Sequence, residues 1–120
     1  MFELEINGVT YQFKFGMRFM REMNKRQTRK IEGLEKEEPI GLSMAIARIL
    51  DEDLDTLYDV LREANTGYEP RLGQVQFDEW IESDSTDIDA VFKKVLDFFD
   101  RSNCTKKTYQ RVKEQAEKLM

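Results

Sequence analysis

The feature that most constrains the fold is an unbroken apolar helical face between Asp87 and Phe99. Its members recur at the spacing i, i+3, i+4, i+7, i+8 and i+11: Ile88, Val91, Phe92, Val95, Leu96 and Phe99. Thr86 stands where it can cap the first turn, with Asp89 three residues later as the acid of a capping box. A helix with such a face is not stable alone in water, so the pattern predicts the central helix of a core.

The start of the chain, from Phe2 to Phe15, predicts a β-hairpin. Asn7-Gly8 at its middle is typical of a two-residue type I′ turn, in which both residues need positive φ. Such a turn fixes three cross-strand pairs on one apolar face, which Phe15 extends: Ile6 with Val9, Leu4 with Tyr11, and Phe2 with Phe13. Because a lone hairpin is marginal in water, this face must pack on helices or pair with another chain.

The remaining periodicity is helical, apart from one interruption. Residues 27–41 lack a repeating apolar pattern and hold a charged run closed by Pro39, which predicts a mobile loop. We therefore predict one domain over residues 1–120, mostly α (α+β), a small bundle of five to six helices with an N-terminal hairpin. The predicted parts are a hairpin at 2–15, a helical bundle at 17–100 and a C-terminal amphipathic helix at 105–120.

The composition argues against several functional classes. Histidine is absent and Cys104 is the single cysteine, which removes the commonest general base, the commonest zinc ligand and an internal disulfide. A net charge of −5 disfavours nucleic acid as the main partner. No 18-residue apolar run predicts a membrane span, and the first residues lack the regions of a signal peptide, so we expect a protein of a reducing cytoplasm. We predict no catalytic residue and no cofactor.

One acidic run invites comparison with a calcium loop. Asp51, Asp53 and Asp55 occupy positions 1, 3 and 5 of such a loop. Position 6 is Thr56, where glycine is needed, and position 12 is Arg62, where glutamate is needed. We favour the alternative, an acid-rich helix start with Asp53 as cap, and predict no metal site.

Charge is unevenly distributed along the chain. Residues 14–36 carry eight Lys and Arg against three Glu, a net charge of +5. Residues 78–100 carry eight Asp and Glu against two Lys, a net charge of −6. One interpretation is head-to-tail self-association or a basic patch for an acidic partner. The other, which we favour, is two solvated faces that attract each other within one molecule.

Two narrow apolar stripes are candidate partner-binding surfaces. One recurs at every third residue of the first predicted helix: Met17, Met20 and Met23. The other runs along the last helix: Tyr109, Val112, Ala116 and Leu119. A methionine stripe is usually core, and its alternative is an adaptable surface for varied apolar partners. The last stripe is narrower than a core helix needs, so it either docks on the bundle edge or is offered to a partner helix.

Taken together, these motifs resemble a known family. The similar features are the opening from Leu4 to Gly16, the aliphatic middle helices, and the close Ser102-Asn103-Cys104-Thr105-Lys106-Lys107 before a charged last helix. Over nearly its whole length the chain resembles the tail assembly chaperones of long-tailed phages (siphoviruses) of Gram-positive bacteria. It departs from their pattern in the charged segment 29–38 and in Cys104, where a small residue is expected.

The resemblance implies a non-enzymatic protein of the infected host's cytoplasm that is absent from the mature virion. Such proteins bind the tape-measure protein, keep it soluble and help recruit tail-tube subunits during virion morphogenesis. A longer product made by ribosomal frameshifting is also typical of the family. Our hypothesis is that weak homo-oligomers coat the tape-measure protein, with the last helix and the methionine stripe as contacts.

Two other classes remain as alternatives. One is a small phage or plasmid regulatory protein that binds nucleic acid through the basic segment 18–30. The other is a hydrolase that uses carboxylates, which we disfavour. Salt-dependent binding to DNA would support the first alternative, whereas selective rescue of an aggregating helical partner would support the chaperone.

Overall fold

The computed structural model describes residues 1–119, and Met120, the last residue of the predicted final helix, lies outside them. Within that range the chain forms two hairpins and six helices, in the order β1 (Phe2–Ile6), β2 (Val9–Phe13), α1 (Met17–Lys25), β3 (Thr28–Lys30), β4 (Glu37–Pro39), α2 (Gly41–Leu50), α3 (Leu54–Ala64), α4 (Gln74–Glu82), α5 (Ile88–Arg101) and α6 (Lys106–Lys118). The predicted fold class, a small helical bundle with an N-terminal hairpin, is confirmed.

The N-terminal hairpin has the register that its sequence predicts. Phe2 pairs with Phe13, Leu4 with Tyr11 and Ile6 with Val9. Asn7 and Gly8 have φ of 52° and 78°, as a type I′ turn requires. The predicted apolar face is buried except at its two ends, where Phe2 is half-buried and Val9 is 44% exposed. Val9 pairs with Ile6 as predicted, but Ile6 is only 1% exposed, so the helices cover the turn end of the hairpin on the β1 side and leave Val9 uncovered.

The segment predicted as a loop, residues 27–41, instead contains a second antiparallel hairpin. Its strands β3 and β4 pair Thr28 with Pro39, Arg29 with Glu38 and Lys30 with Glu37. Polar contacts replace the apolar face: Arg29 forms an ion pair with Glu38, and the Thr28 hydroxyl donates to the Glu37 carboxylate at 3.0 Å. The prediction missed these strands because no apolar residue alternates along them.

Helix α2 is the central element of the bundle, since it packs against α1, α3, α5 and α6. Gly41 makes this position possible. A Cβ atom there would lie 1.7 Å from the carbonyl oxygen of Met23, so only glycine lets α2 start against the end of α1. The Leu42 amide donates to the Asn24 side-chain oxygen at 3.0 Å and closes the same junction.

Helix α5, which the sequence placed at the centre, lies in the core but shares it with α2. Its buried residues are Val91, Phe92, Val95, Phe98 and Phe99. The cap is one residue later than predicted: the Asp87 carboxylate accepts from the Ala90 amide at 3.1 Å, whereas the Thr86 hydroxyl donates to the Trp80 carbonyl. Thr86 thus closes the α4–α5 turn and does not cap α5.

Polar anchors fix the first hairpin to the helices behind it. The Lys14 amide donates to the Ala64 carbonyl at 2.8 Å, and the Ser102 hydroxyl donates to the carbonyl of Phe15. Asn65, fully buried, donates through Nδ2 to the Gln12 carbonyl at 3.0 Å, and its Oδ1 accepts from the Leu72 amide at 2.7 Å. These bonds join the hairpin to the end of α3 and to the segments that follow α3 and α5.

Candidate interaction surfaces

The stripe predicted on the last helix is divided between core and surface. Tyr109 and Val112 are only 8% and 7% exposed, because α6 packs against α2 and α5. Ala116, one turn further, is half-buried, and Leu119 is 89% exposed. The first half of the stripe thus docks α6 on the bundle, and the second half faces solvent.

The methionine stripe is divided in the same way. Met23 is 3% exposed and belongs to the core, Met20 is half-buried against it, and Met17 is 47% exposed. The two stripes therefore supply three of their seven residues to the buried core. What they leave at the surface is Met17 at the start of α1 and Leu119 at the end of α6.

Met17 lies on the wall of an open cleft of about 490 Å³ at the junction of the first hairpin, α1 and the turns after α3 and α5. The lining includes Lys14, Arg18, Tyr68 and Cys104. Periodicity did not reveal this grouping, because its residues come from three separate stretches of the chain. An apolar base with two cationic side chains is suited to an amphipathic segment that carries acidic flanks.

Two arginines of the basic segment 14–36 form ion pairs with acids of α3. Arg18 Nη1 lies 2.7 Å from Glu63 Oε1, and Arg26 lies 3.3 Å from Glu63 and 3.9 Å from Asp59. Within α1, the ammonium group of Lys25, 2.9 Å from Glu22, lowers the pKa of that carboxyl. These pairs reduce the positive charge that a nucleic acid would contact, which disfavours the regulatory alternative.

The two oppositely charged segments do not pair with each other. Among the described residues, no ion pair joins residues 14–36 to residues 78–100. The acidic segment has one ion pair, between Asp97 and Arg101 at 3.0 Å within α5. The interpretation that we favoured from the sequence, attraction within one molecule, therefore finds no direct contact to support it.

The acidic run at 51–55 serves a structural purpose at Asp53. Its carboxylate accepts from the Thr56 amide at 3.3 Å and from the Thr56 hydroxyl, and so caps α3. In residues 1–119 no group of three or more Asp, Glu or Cys side chains is placed to hold a metal ion. Also within that range, no helix is long and apolar enough to cross a bilayer.

An open cleft lined by apolar and charged side chains suits the binding of an amphipathic segment of another protein. The family comparison agrees with a role in protein binding. The model of a family described as phage tail assembly chaperone protein, TAC, matches residues 3–114, and the chain belongs to this family. The match extends from the first strand into α6. No curated protein and no solved structure shows significant similarity to the chain.

Proposed function

We propose that this chain is a non-enzymatic tail assembly chaperone that binds the tape-measure protein, keeps it soluble and helps recruit tail-tube subunits. It acts in the cytoplasm of the infected host and is absent from the mature virion. The observation that carries the proposal is the family match over residues 3–114. The resemblance to chaperones of siphoviruses that infect Gram-positive hosts supplies the partners.

The tape-measure contact uses the apolar residues that the bundle leaves exposed. Met17 in its cleft and Leu119 with the half-buried Ala116 on α6 offer small apolar patches, each with charged neighbours. Tyr109, Val112 and Met23, predicted as contacts, act indirectly by holding α6 and α1 in place. Small patches and flexible methionine side chains suit a chaperone that must cover many different apolar stripes along one partner.

Each chain covers little of a long partner, so many copies must act together. Weak self-association raises the local concentration of chaperone along the tape-measure protein. The proposed working form is therefore a weak homo-oligomer that coats its partner, from which the tape-measure protein is later released to the tail tube.

Co-expression with the tape-measure protein of the same phage tests the proposal. Removal of α6 is unsuitable as a test of binding, because the loss of Tyr109 and Val112 would leave a cavity in the core. The sharper variant is Met17→Glu with Leu119→Glu, which changes only exposed side chains. Its matched control is Val75→Glu on α4, where the side chain is 62% exposed.

We expect the parent chain and the Val75 variant to keep the tape-measure protein soluble, and the double variant to lose most of that capacity. If the double variant performs as well as the parent, the contact lies elsewhere. If the parent chain itself does not increase the soluble fraction of the tape-measure protein, the proposed partner is wrong.

A further inference from the structure

Two acid-rich segments that are separate in the sequence meet in the fold. The turn after α2 brings Glu52 next to the first turns of α5, where Asp89 lies. Between them is an open cleft of about 430 Å³ whose apolar floor consists of Leu50, Phe92 and Leu96. We call this the acidic cleft. Leu50 and Leu96 are half-buried, so part of the floor remains in contact with solvent.

The carboxylates of the acidic cleft, those of Glu52 and Asp89, form no ion pair in residues 1–119. Lys93 also lines the cleft, so its charged lining consists of two carboxylates and one ammonium group. An apolar floor with an acidic rim suits a ligand that has long apolar stems ending in positive charges.

Two side chains with long apolar stems and positive charges lie on the solvent-exposed side of α1 in the same chain. Arg21 and Lys25 are both exposed and lie one turn apart on the helix. We call this pair the basic face. Arg21 has no ion pair in residues 1–119, and Lys25 has only the exposed contact with Glu22. Their aliphatic stems can cover the floor of the cleft while the charged ends reach the carboxylates at its rim.

We propose that the acidic cleft of one copy binds the basic face of a second copy. The proposal rests on the self-association included in the proposed function, and it does not depend on the identity of the tape-measure partner. A second copy is the occupant because both charge-complementary surfaces belong to this chain and do not pair within it. Since the two surfaces differ, each contact leaves one of each free, and the copies add head to tail into an open chain.

Sedimentation velocity at low and high ionic strength, without any partner protein, tests the interface. One variant carries Glu52→Lys and Asp89→Lys, and the other carries Arg21→Glu and Lys25→Glu. The control for the first variant carries Glu3→Lys and Glu5→Lys, which reverses two exposed carboxylates on β1 and changes the net charge by the same amount as that variant. Circular dichroism verifies that every variant is folded. The single variant Glu52→Lys replaces the first double variant if reversal at Asp89, near the start of α5, prevents folding.

We expect the parent and the β1 control to associate at low salt and to dissociate in about 0.5 M salt, where the Debye length is only a few ångströms. Each interface variant alone should associate at least about tenfold more weakly, because like charges then face each other. An equal mixture of the two should restore association, since each cleft then meets a face of opposite sign.

A parent chain that is monomeric at low salt, or a mixture of folded variants that stays monomeric, would overturn the proposal. So would undiminished association of either variant alone. Each of these results leaves the co-expression test of tape-measure binding unaffected, so failure of the interface and failure of the proposed function are distinguishable.

Discussion

The two hairpins of this protein have the same topology and very different surroundings. Each is an antiparallel pair with a glycine at positive φ in its connection, +78° at Gly8 and +82° at Gly33. The first lays an apolar face on the bundle and is tied to α3 and to the end of α5 by hydrogen bonds. The second has no fully buried residue in either strand and is held by cross-strand polar pairs.

A strand pair alone contributes little stability, and packing of its apolar face on the helices supplies the rest. A two-stranded sheet without a packed face is marginal in water. We therefore expect the first hairpin to unfold only with the whole domain, and the second to open locally at lower free energy.

The largest effect should follow from removing an aromatic ring two residues after the first hairpin, where the chain passes into the core. The Phe15 ring lies 4.8 Å from the Phe19 ring and 5.2 Å from the Phe99 ring, centroid to centroid. Phe15→Ala should lower the free energy of unfolding by about 3–5 kcal/mol, measured by urea denaturation. The control Leu34→Ala, at a side chain that is 60% exposed in the second hairpin, should leave the midpoint nearly unchanged. Equal losses would show that the hairpins are equally coupled to the core.

The next largest loss of stability should follow from a substitution at Gly41, where α2 begins against the end of α1 just after the second hairpin. Gly41→Ala places a methyl group against the Met23 carbonyl, so α1 and α2 must move apart. We expect a loss of about 1–3 kcal/mol, in the range of overpacked cores, with a lower melting temperature. A melting curve like that of the parent would mean that α1 and α2 move apart at little cost in free energy.

The same contrast explains which parts of the fold could be predicted from sequence. The register of the first hairpin follows from Asn7-Gly8 and from apolar alternation, two signals that agree. The second hairpin gives neither signal, because Arg29 and Glu38 are the kind of residues that loops also contain. The central position of α2 was missed because periodicity shows that a helix has an apolar face, not how many neighbours surround it.

The candidate surfaces were predictable only in part, for a similar reason. A stripe such as Tyr109–Val112–Ala116–Leu119 shows which side of α6 is apolar, but where the bundle ends along that side depends on α2 and α5. The acidic cleft was not predictable, since Glu52 and Asp89 are distant in sequence. Both acidic segments were noticed separately, and only the fold brings them together.

The two turn glycines allow a matched comparison. Gly8 and Gly33 both have positive φ, and a Cβ atom on either would meet nothing within 4 Å, so substitution introduces backbone strain without a clash. Gly8→Val should lower the free energy of unfolding by roughly 1–2 kcal/mol, because strain in a coupled hairpin opposes global folding. Gly33→Val should lower it by less than about 0.5 kcal/mol, because a weakly coupled hairpin can open instead. Similar losses in the free energy of unfolding of the two variants, measured by calorimetry, would show that both hairpins are coupled to the core to the same degree.

The smallest effect should come from the ion pair that joins the strands of the second hairpin. Glu38→Ala removes the partner of Arg29, but both side chains are substantially exposed, at 37% and 66%, so the pair contributes at most about 1 kcal/mol and is weakened by salt.

If the second hairpin opens independently, loss of this ion pair changes the free energy of local opening and not that of global unfolding. Hydrogen exchange at the amides of β3 and β4 should then become faster, while the free energy of unfolding measured in urea stays within about 0.5 kcal/mol of the parent. Asp87→Ala, which removes the cap of α5, serves as the positive control and should lower the free energy of unfolding by about 1 kcal/mol. A shift at Glu38 as large as that at Asp87 would show that the second hairpin folds with the core, and the two hairpins would then differ in burial without differing in cooperativity.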